Sequence, residues 1–541
     1  MNRFSKNQTL LAKSLFGLLI AITALLLARP MMTGAKDSNK LPSKTSSTSE
    51  AKSSTFSGDE LTRQIDSAID SSEFAYARWG VCVISLANGA VVYRRDADKL
   101  FTPASNMKIY TTGVALDLLG ADYRWRTSVY ASAEPDAGGR IHGDLILYGR
   151  GAPDLVANSS DPTKGTLNRL ADQLYQKGIR RIDGKVIGDD SYFRGDPLGD
   201  GWQWTDLQWY FGAEASALSI NGNEVDVNIV PAEKGSEAPA VRVSNAQANL
   251  VVQNRMALAD KEGRPTVGLH RGLSDNNLEV WGELAPASKG FGARLAVHNP
   301  ALWAGRLFIE ALKARGITVG GEAQSRNSRV PQSVRFDPSK AHELAFVNSQ
   351  PLSEIARKTN KESINLYAEL ILRTLGRERG EMAVGPEPAG RERGDDEAGL
   401  AVLRVWLSRA AVPSAHIALH DGSGLSRLDL VTPETSARLL VALSKTAAGT
   451  VFKDSLPIAG RDGTLAGRLR NLSDRVWAKT GSLTYDNSLS GYMVTAKGES
   501  LAFSIMCNDQ TGRDASARLI DQILGLVAGQ PTNSSEKSQK P

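Results

Sequence analysis

Ser105 and Lys108, three residues apart in "PASNMKIYTT" (103–112), have the types and spacing of a nucleophile beside its base. On a helix that spacing puts both on one face, close to the first turn. A lysine amine accepts a hydroxyl proton only when neutral, and burial with nearby positive charge favours the neutral form. Taken alone, such a pair is more often a surface accident. Two later segments supply partners. "KESINLY" places Ser363-Ile364-Asn365 in a turn before a helix, and "AKTGSL" places Lys479-Thr480-Gly481-Ser482 on an expected edge strand.

Other chemistries find less support. The six histidines form no H-E-x-x-H, and His416 and His420 in "HIALHDG" read as ordinary surface or core residues. Gly424-Leu425-Ser426 lacks the closing glycine of a nucleophile elbow. "YGRGAPD" holds two glycines but no complete phosphate loop. The chain is therefore expected to use neither a metal nor a nucleotide cofactor. "DGSGLSR" offers Ser423 and Ser426, but no base adjoins them, so the segment reads as a tight structural turn near the site. Trp202, Trp204, Trp209, Tyr210 and Phe211 cluster in one stretch. Aromatic packing between two parts of the molecule explains them better than a sugar platform does.

Positioning these residues takes several elements. Thr102 is the expected cap of the Ser105 helix, Pro103 its first residue and Gly120 its stop. Met107, Tyr110, Val114, Ala115 and Leu118 recur at helical spacing. Before it, "GVCVISLANGAVVYRRDAD" reads as two strands joined at Asn88-Gly89. From about Trp125 to Asp337, short strand-like runs alternate with turn residues, interrupted by the helical "LNRLADQLYQKG". Helices return at "PLSEIARKT" and "NLYAELILRTLG", separated by "NKESI", then at 398–410 and 433–445. "RVWAKTGSL", "SLSGYMVTAKG" and "LAFSIMCND" are strands, and a last helix covers 515–528. Strands at both ends with helices between predict one α/β domain closed by its termini, with a β-rich block inserted. The expected division is a main domain of 58–125 and 338–529 and an insertion at 126–337, in one piece or two nested ones.

The 541 residues carry a net charge of only +5, which argues against nucleic-acid binding. Arg3, Lys6 and Lys13 precede the apolar "SLFGLLIAITALLLA", so residues 1–35 read as a signal peptide or an uncleaved membrane anchor. Thr33-Gly34-Ala35 is a tolerable cleavage site. Residues 36–57 and 530–541, rich in Ser, Thr and Lys, read as a flexible tether and a disordered tail. Cys82 and Cys507 are the two cysteines, and separate buried thiols are favoured over a disulfide.

S-x-x-K, S-x-N and K-T-G in this order form the motif set of penicillin-binding proteins and class A β-lactamases. Beyond the motifs, 56–528 resembles the penicillin-binding proteins that act as D-alanyl-D-alanine carboxypeptidases and endopeptidases, the low-molecular-mass class C. These carry a large insertion between the first two motifs. "PASNMK", "GDLILYGRGAPDL", "GDDSYF", "GWQWTDLQWYFGAEASALSINGNEV", "DGSGLSR", "AGRDGTLAGR" and "AKTGSLTYDNSLSGY" carry the resemblance. It implies an α/β fold, a five-stranded antiparallel sheet flanked by helices with a β-rich insertion. It also implies roles. Ser105 attacks the carbonyl between two D-alanines and forms an acyl-enzyme, and Lys108 takes its proton. Ser363 relays the proton to the leaving amine, and Asn365 fixes Lys108 and the substrate backbone. Lys479, still charged, and Thr480 hold the terminal carboxylate. Gly481 leaves room for an extended peptide along the strand edge, and the N–H groups of Ser105 and Ser482 form the oxyanion hole. Ile364 departs from the polar residue that many relatives carry there.

The function so implied is an exported serine DD-peptidase of the periplasm or cell envelope, acting on peptidoglycan stem peptides and acylated by β-lactams. One rival is a β-lactamase, which needs fast deacylation; no deacylating glutamate motif is evident. The other is a silent peptidoglycan-binding protein, which intact Ser105, Lys108, Ser363, Asn365, Lys479 and Thr480 oppose.

Overall fold

The computed structural model describes residues 58–157, 165–232, 237–259, 265–331, 334–385, 388–512 and 515–529. The expected signal segment, tether and C-terminal tail lie outside the described residues.

An antiparallel five-stranded sheet organises the main body. Its order is Val476–Leu483, Asp486–Val494, Ser500–Asn508, Arg78–Ser85, Val91–Arg95. The first strand in sequence thus lies beside the last, with Arg78 opposite Asn508 and Ser85 opposite Leu501. Gly89 takes a positive φ of 74° in the hairpin between the first two strands, a conformation that glycine adopts without strain. Both faces are covered. Val81 and Val83 join a core with Ile65, Ile69, Ile520 and Ile523 of the helices Gly58–Asp70 and Ala515–Val527. Cys82 and Ile84 turn the other way, toward Ala437 of the helix Pro433–Leu443. This double burial explains the continuous apolar run of the strand Arg78–Ser85. Cys82 sits opposite Ser504 and Cys507 opposite Trp79. That odd register offset sends the two sulfurs to opposite faces, so both are free buried thiols.

The Ser105 helix begins differently from its expected capping. Ala104–Asn106 form a 3₁₀ turn, and the α-helix runs from Met107 to Leu119, with Gly120 (φ 90°) as its stop. Thr102 caps nothing. Its N–H donates to Asn508 Oδ1 at 2.7 Å and its carbonyl accepts from Asn508 Nδ2 at 3.2 Å, tying the turn to the sheet. Residues Met107–Leu116 are buried on every side, so this is a core helix. The helix Leu352–Glu362 extends through the polar "NKE", leaving only Ser363 and Ile364 before the helix Asn365–Glu378.

Between the Ser105 helix and Leu352, the described residues build four small sheets and two longer helices, Thr166–Gln176 and Pro300–Ala314. The largest sheet has the order Ala323–Arg326, Val186–Asp189, Leu145–Tyr148, Arg126–Ala131, His342–Asn348. One apolar core runs from Met107 and Tyr110 through Trp125 to Leu170 and Phe308. The Trp125 indole N–H also donates to Thr374 Oγ1 at 2.8 Å, linking this block to the helix Asn365–Glu378. Among the described residues, no helix is long and apolar enough to cross a membrane.

Candidate active site

The Ser105 turn is wedged between the sheet edge and the Asp421–Arg427 turn. Ser488 Oγ donates to Pro103 O at 2.6 Å, and Asn106 Nδ2 donates to Ser488 Oγ. A Cβ on Gly481 would stand 2.6 Å from Pro103 O and 2.2 Å from Ser488 Oγ. On Gly424 it would stand 1.8 Å from Ala104 O. Ala104 is held here at a φ of 49°, a conformation that costs a non-glycine residue energy and persists only where its surroundings enforce it. Gly481 is therefore glycine because the nucleophile turn packs on it. The space it leaves faces that turn, not the free edge where an extended peptide was expected to lie.

Lys108 is the hub. Its buried amine donates to Ser105 Oγ at 2.9 Å, Asn365 Oδ1 at 2.7 Å and the Ser423 carbonyl at 2.7 Å. As an ammonium it donates to all three; as a neutral amine it keeps two of these bonds and turns its lone pair to the Ser105 hydroxyl. Burial pulls its pKa down to about 7, against Asp421 and Glu369, whose charges pull it up. Near neutrality the amine is thus poised between its two forms, as a general base requires.

Ser363 ends the preceding helix with a left-handed φ of 59°, which turns it into the cleft. Its Oγ accepts from Lys479 Nζ at 3.0 Å, so its hydrogen bond runs to the second lysine. Asn365 begins the next helix. Its Nδ2 donates to the Phe211 carbonyl at 2.9 Å, so a segment between the Ser105 helix and Leu352 orients this side chain.

Lys479 is also fully buried, on the edge strand Val476–Leu483, and its amine donates as well to Thr480 O at 2.8 Å. Burial first, then the charge of Lys108, drive its pKa well below the usual lysine range. Its acceptors are a hydroxyl and a carbonyl, neither of which neutralises an ammonium, so burial works against the charge expected on Lys479. Thr480 Oγ1 donates to Thr464 Oγ1 at 2.8 Å, and Ser482 Oγ donates to Asn487 Oδ1 at 3.0 Å.

A cleft of about 810 Å³ opens over these groups. Ser105, Ser363, Asn365 and Ser482 form its floor, and Tyr210, Glu224 and Arg294 of the inserted block form its far wall. The aromatic stretch divides by role. The Trp202 indole donates to Asp421 at 2.9 Å, and Trp209 packs on a core with Val227 and Leu295. Tyr210 lies under the Arg294 guanidinium, 3.6 Å from its ring centre, and Trp204 stands 64% exposed. Sequence reasoning passed over Asp421, Glu369 and Ser488. The D-G-S-G turn was the available signal, and its contribution is a carbonyl rather than a hydroxyl. His420 pairs with Asp200 at 2.8 Å and His416 is exposed. Among the described residues, no group of three or more His, Cys, Asp or Glu could hold a metal ion.

A family model described as D-Ala-D-Ala carboxypeptidase 3 (S13) matches residues 61–530. The chain is 34% identical over 466 residues to a D-alanyl-D-alanine carboxypeptidase of Actinomadura sp. (strain R39), covering 84% of this chain and 82% of the relative. In structure it is similar to penicillin-binding protein 4 (dacB) from Haemophilus influenzae. The TM-score is 0.70 at 25% identity, over 87% of this chain and 98% of that one. The same protein complexed with a β-lactam matches at a TM-score of 0.67 and 24% identity, over 85% and 97%.

Proposed function

The chain belongs to the D-Ala-D-Ala carboxypeptidase 3 (S13) family, and we propose from this premise that its cleft acylates on Ser105 and acts on peptidoglycan stem peptides. It is a serine DD-peptidase acylated by β-lactams. The observation that carries the site assignment is the Lys108 amine, 2.9 Å from Ser105 Oγ and locked by Asn365 and Ser423 at the floor of the cleft.

In acylation, Ser105 Oγ bonds to the carbonyl carbon of the penultimate D-alanine while its proton passes to neutral Lys108. The N–H groups of Ser105 and Ser482 receive the charge that develops on the carbonyl oxygen. Collapse of the tetrahedral intermediate breaks the C–N bond. The proton reaches the leaving amine through Ser363, whose Oγ lines the same cleft. Water then releases the acyl group and restores Ser105. An arriving C-terminal carboxylate lies against Lys479 and Thr480, and its negative charge offsets the burial that depresses the lysine, so the substrate charges its own anchor. Cleavage of a terminal D-alanine and of a D-Ala cross-link share this acyl-enzyme and differ only in what the amine carries. Membership in a family of cell-wall carboxypeptidases supports a location in the cell envelope or periplasm, to which the basic, apolar N-terminal segment would export it, cleaved or kept as a membrane anchor.

Incubation with a labelled penicillin, followed by peptide mass mapping, tests the reading. A label on Ser105 with slow release is expected. Rapid turnover marks a β-lactamase, and absence of label marks a silent fold.

A further inference from the structure

The turn behind Lys108 is organised by one carboxylate. Asp421 is fully buried and accepts five hydrogen bonds: Ser423 N at 3.1 Å, Gly424 N at 2.6 Å, Ser426 N at 2.8 Å, Ser423 Oγ at 3.1 Å and the Trp202 indole N–H at 2.9 Å. Four come from the turn itself. The fifth comes from the inserted block, more than two hundred positions away in sequence. These bonds fix the peptide that presents the Ser423 carbonyl to Lys108 Nζ at 2.7 Å. The same turn cannot shift on either side. Gly424 abuts Ala104 O, and Gly422 donates its N–H to Glu369 at 2.9 Å and accepts from Thr111 Oγ1 at 2.8 Å.

We propose that Asp421 is a positioning residue for Lys108, and that Trp202 of the inserted block acts on the nucleophile's base through it. The inference rests on the reading of Lys108 as the base. It assigns the insertion a part in acylation, separate from any contact it makes with substrate.

The electrostatic surroundings agree. Asp421 lies against Asp429, whose Oδ1 accepts from His420 N at 2.6 Å and from Asp421 N at 3.4 Å. Burial and then the Asp421 charge push Asp429 well above the carboxylate range, whereas Asp421, despite burial, is held below it by its donors. A hydrogen bond with Asp429 adds to those donors in lowering Asp421. The charged groups facing Lys108 are Asp421 from the turn, Glu369 from the helix Asn365–Glu378 with its partner Arg373, and Lys479 from the edge strand. Of these, Asp421 both bears a charge toward the amine and shapes the peptide that receives its hydrogen bond.

The test measures the second-order rate of labelling of the full chain by a fluorescent penicillin from pH 5 to 10, in wild type, Asp421→Asn and Trp202→Phe. Removing the Asp421 charge disfavours protonated Lys108, so the inflection in Asp421→Asn should move about half a unit to one unit lower. The rate above it should fall about 10- to 100-fold, part of the roughly 10²–10⁴-fold that a positioned base supplies. Trp202→Phe keeps the ring and loses the donor. It loosens the Ser423 peptide while keeping the Asp421 charge, so the rate above the inflection should fall several-fold. A merely structural turn would lower the amount of active enzyme without moving the inflection, and that result in Asp421→Asn overturns the proposal. If Asp421→Asn does not fold, a Trp202→Phe profile superimposable on wild type overturns it. A flat wild-type profile removes Lys108 as base, and the inference falls with it.

Discussion

The two walls of the cleft are built on opposite principles. Beneath the floor, Lys108 and Lys479 are wholly buried and hold fixed hydrogen bonds, and the backbone of Ala104 is strained into place. Across the cleft, Tyr210 is 40% exposed and Arg294 reaches over its ring while pairing with Glu224 at 3.0 Å. The floor forgoes stability for readiness: two amines sit where burial disfavours their charge, and each is therefore ready to exchange a proton or accept an anion. The far wall keeps the Arg294 charge largely in water, where it is strongly screened. The dry side holds the lysines of the proposed chemistry, and the wet side faces the space that a longer substrate would fill.

The sharpest way to break this division is Ser105→Ala, which should abolish penicillin labelling by mass spectrometry. Ser423→Ala should still be labelled at Ser105, because its part is a carbonyl that alanine keeps. Label surviving in Ser105→Ala would end the scheme. Next, Lys479→Met should slow acylation about 10²–10³-fold, the scale of losing one charge-stabilising group in an active site. Its melting temperature should hold or rise, since the variant no longer buries an amine. A lowered melting temperature would show that Lys479 stabilises the fold.

Acylation by wild type should climb with pH and reach half its plateau near 7, the value to which burial lowers Lys108. The sign follows from the neutral amine being the base: below this pH it is protonated and inactive. Between pH 6 and 8 the rate should change by about tenfold. Gly481→Ala should then cost about tenfold in acylation and lower the melting temperature, because the new methyl meets Pro103 O at 2.6 Å and pushes the Ser105 turn away. A peptide-binding defect with normal penicillin acylation would instead return Gly481 to the substrate's side. The smallest effect belongs to Arg294→Ala on the wet wall. Penicillin acylation should stay within about twofold, with KM for a stem peptide altered several-fold, in keeping with an exposed ion pair. Equal losses on both substrates would erase the contrast between the walls.

Much of the floor was legible in the chain. Ser105 and Lys108 meet because three residues of helix put them on one face, a local geometry. The hairpin at Asn88-Gly89, the Gly120 stop and the edge strand bearing Lys479 were readable for the same reason: short-range pattern sets them. The start of the Ser105 helix was misread because its cap is not local. Thr102 is claimed by Asn508, a residue from the far end of the chain, and the positive φ of Ala104 is enforced by packing. The wet wall was legible only in part: Tyr210 and Glu224 lie in a segment that carries the resemblance, but Arg294 has no period and no motif around it, and only the fold brings the three together.

By itself the sequence determined which groups could do chemistry: three spaced motifs, each set by side-chain type and by helix or strand geometry. Only the tertiary structure decided their electrical state and alignment. The pKa of Lys108 depends on how much water is excluded and on carboxylates brought from other elements. The alignment of its amine depends on a carbonyl held by Asp421, which is held in turn by Trp202. Charge and desolvation act through space, and a linear order of residues does not encode distance until the chain has folded.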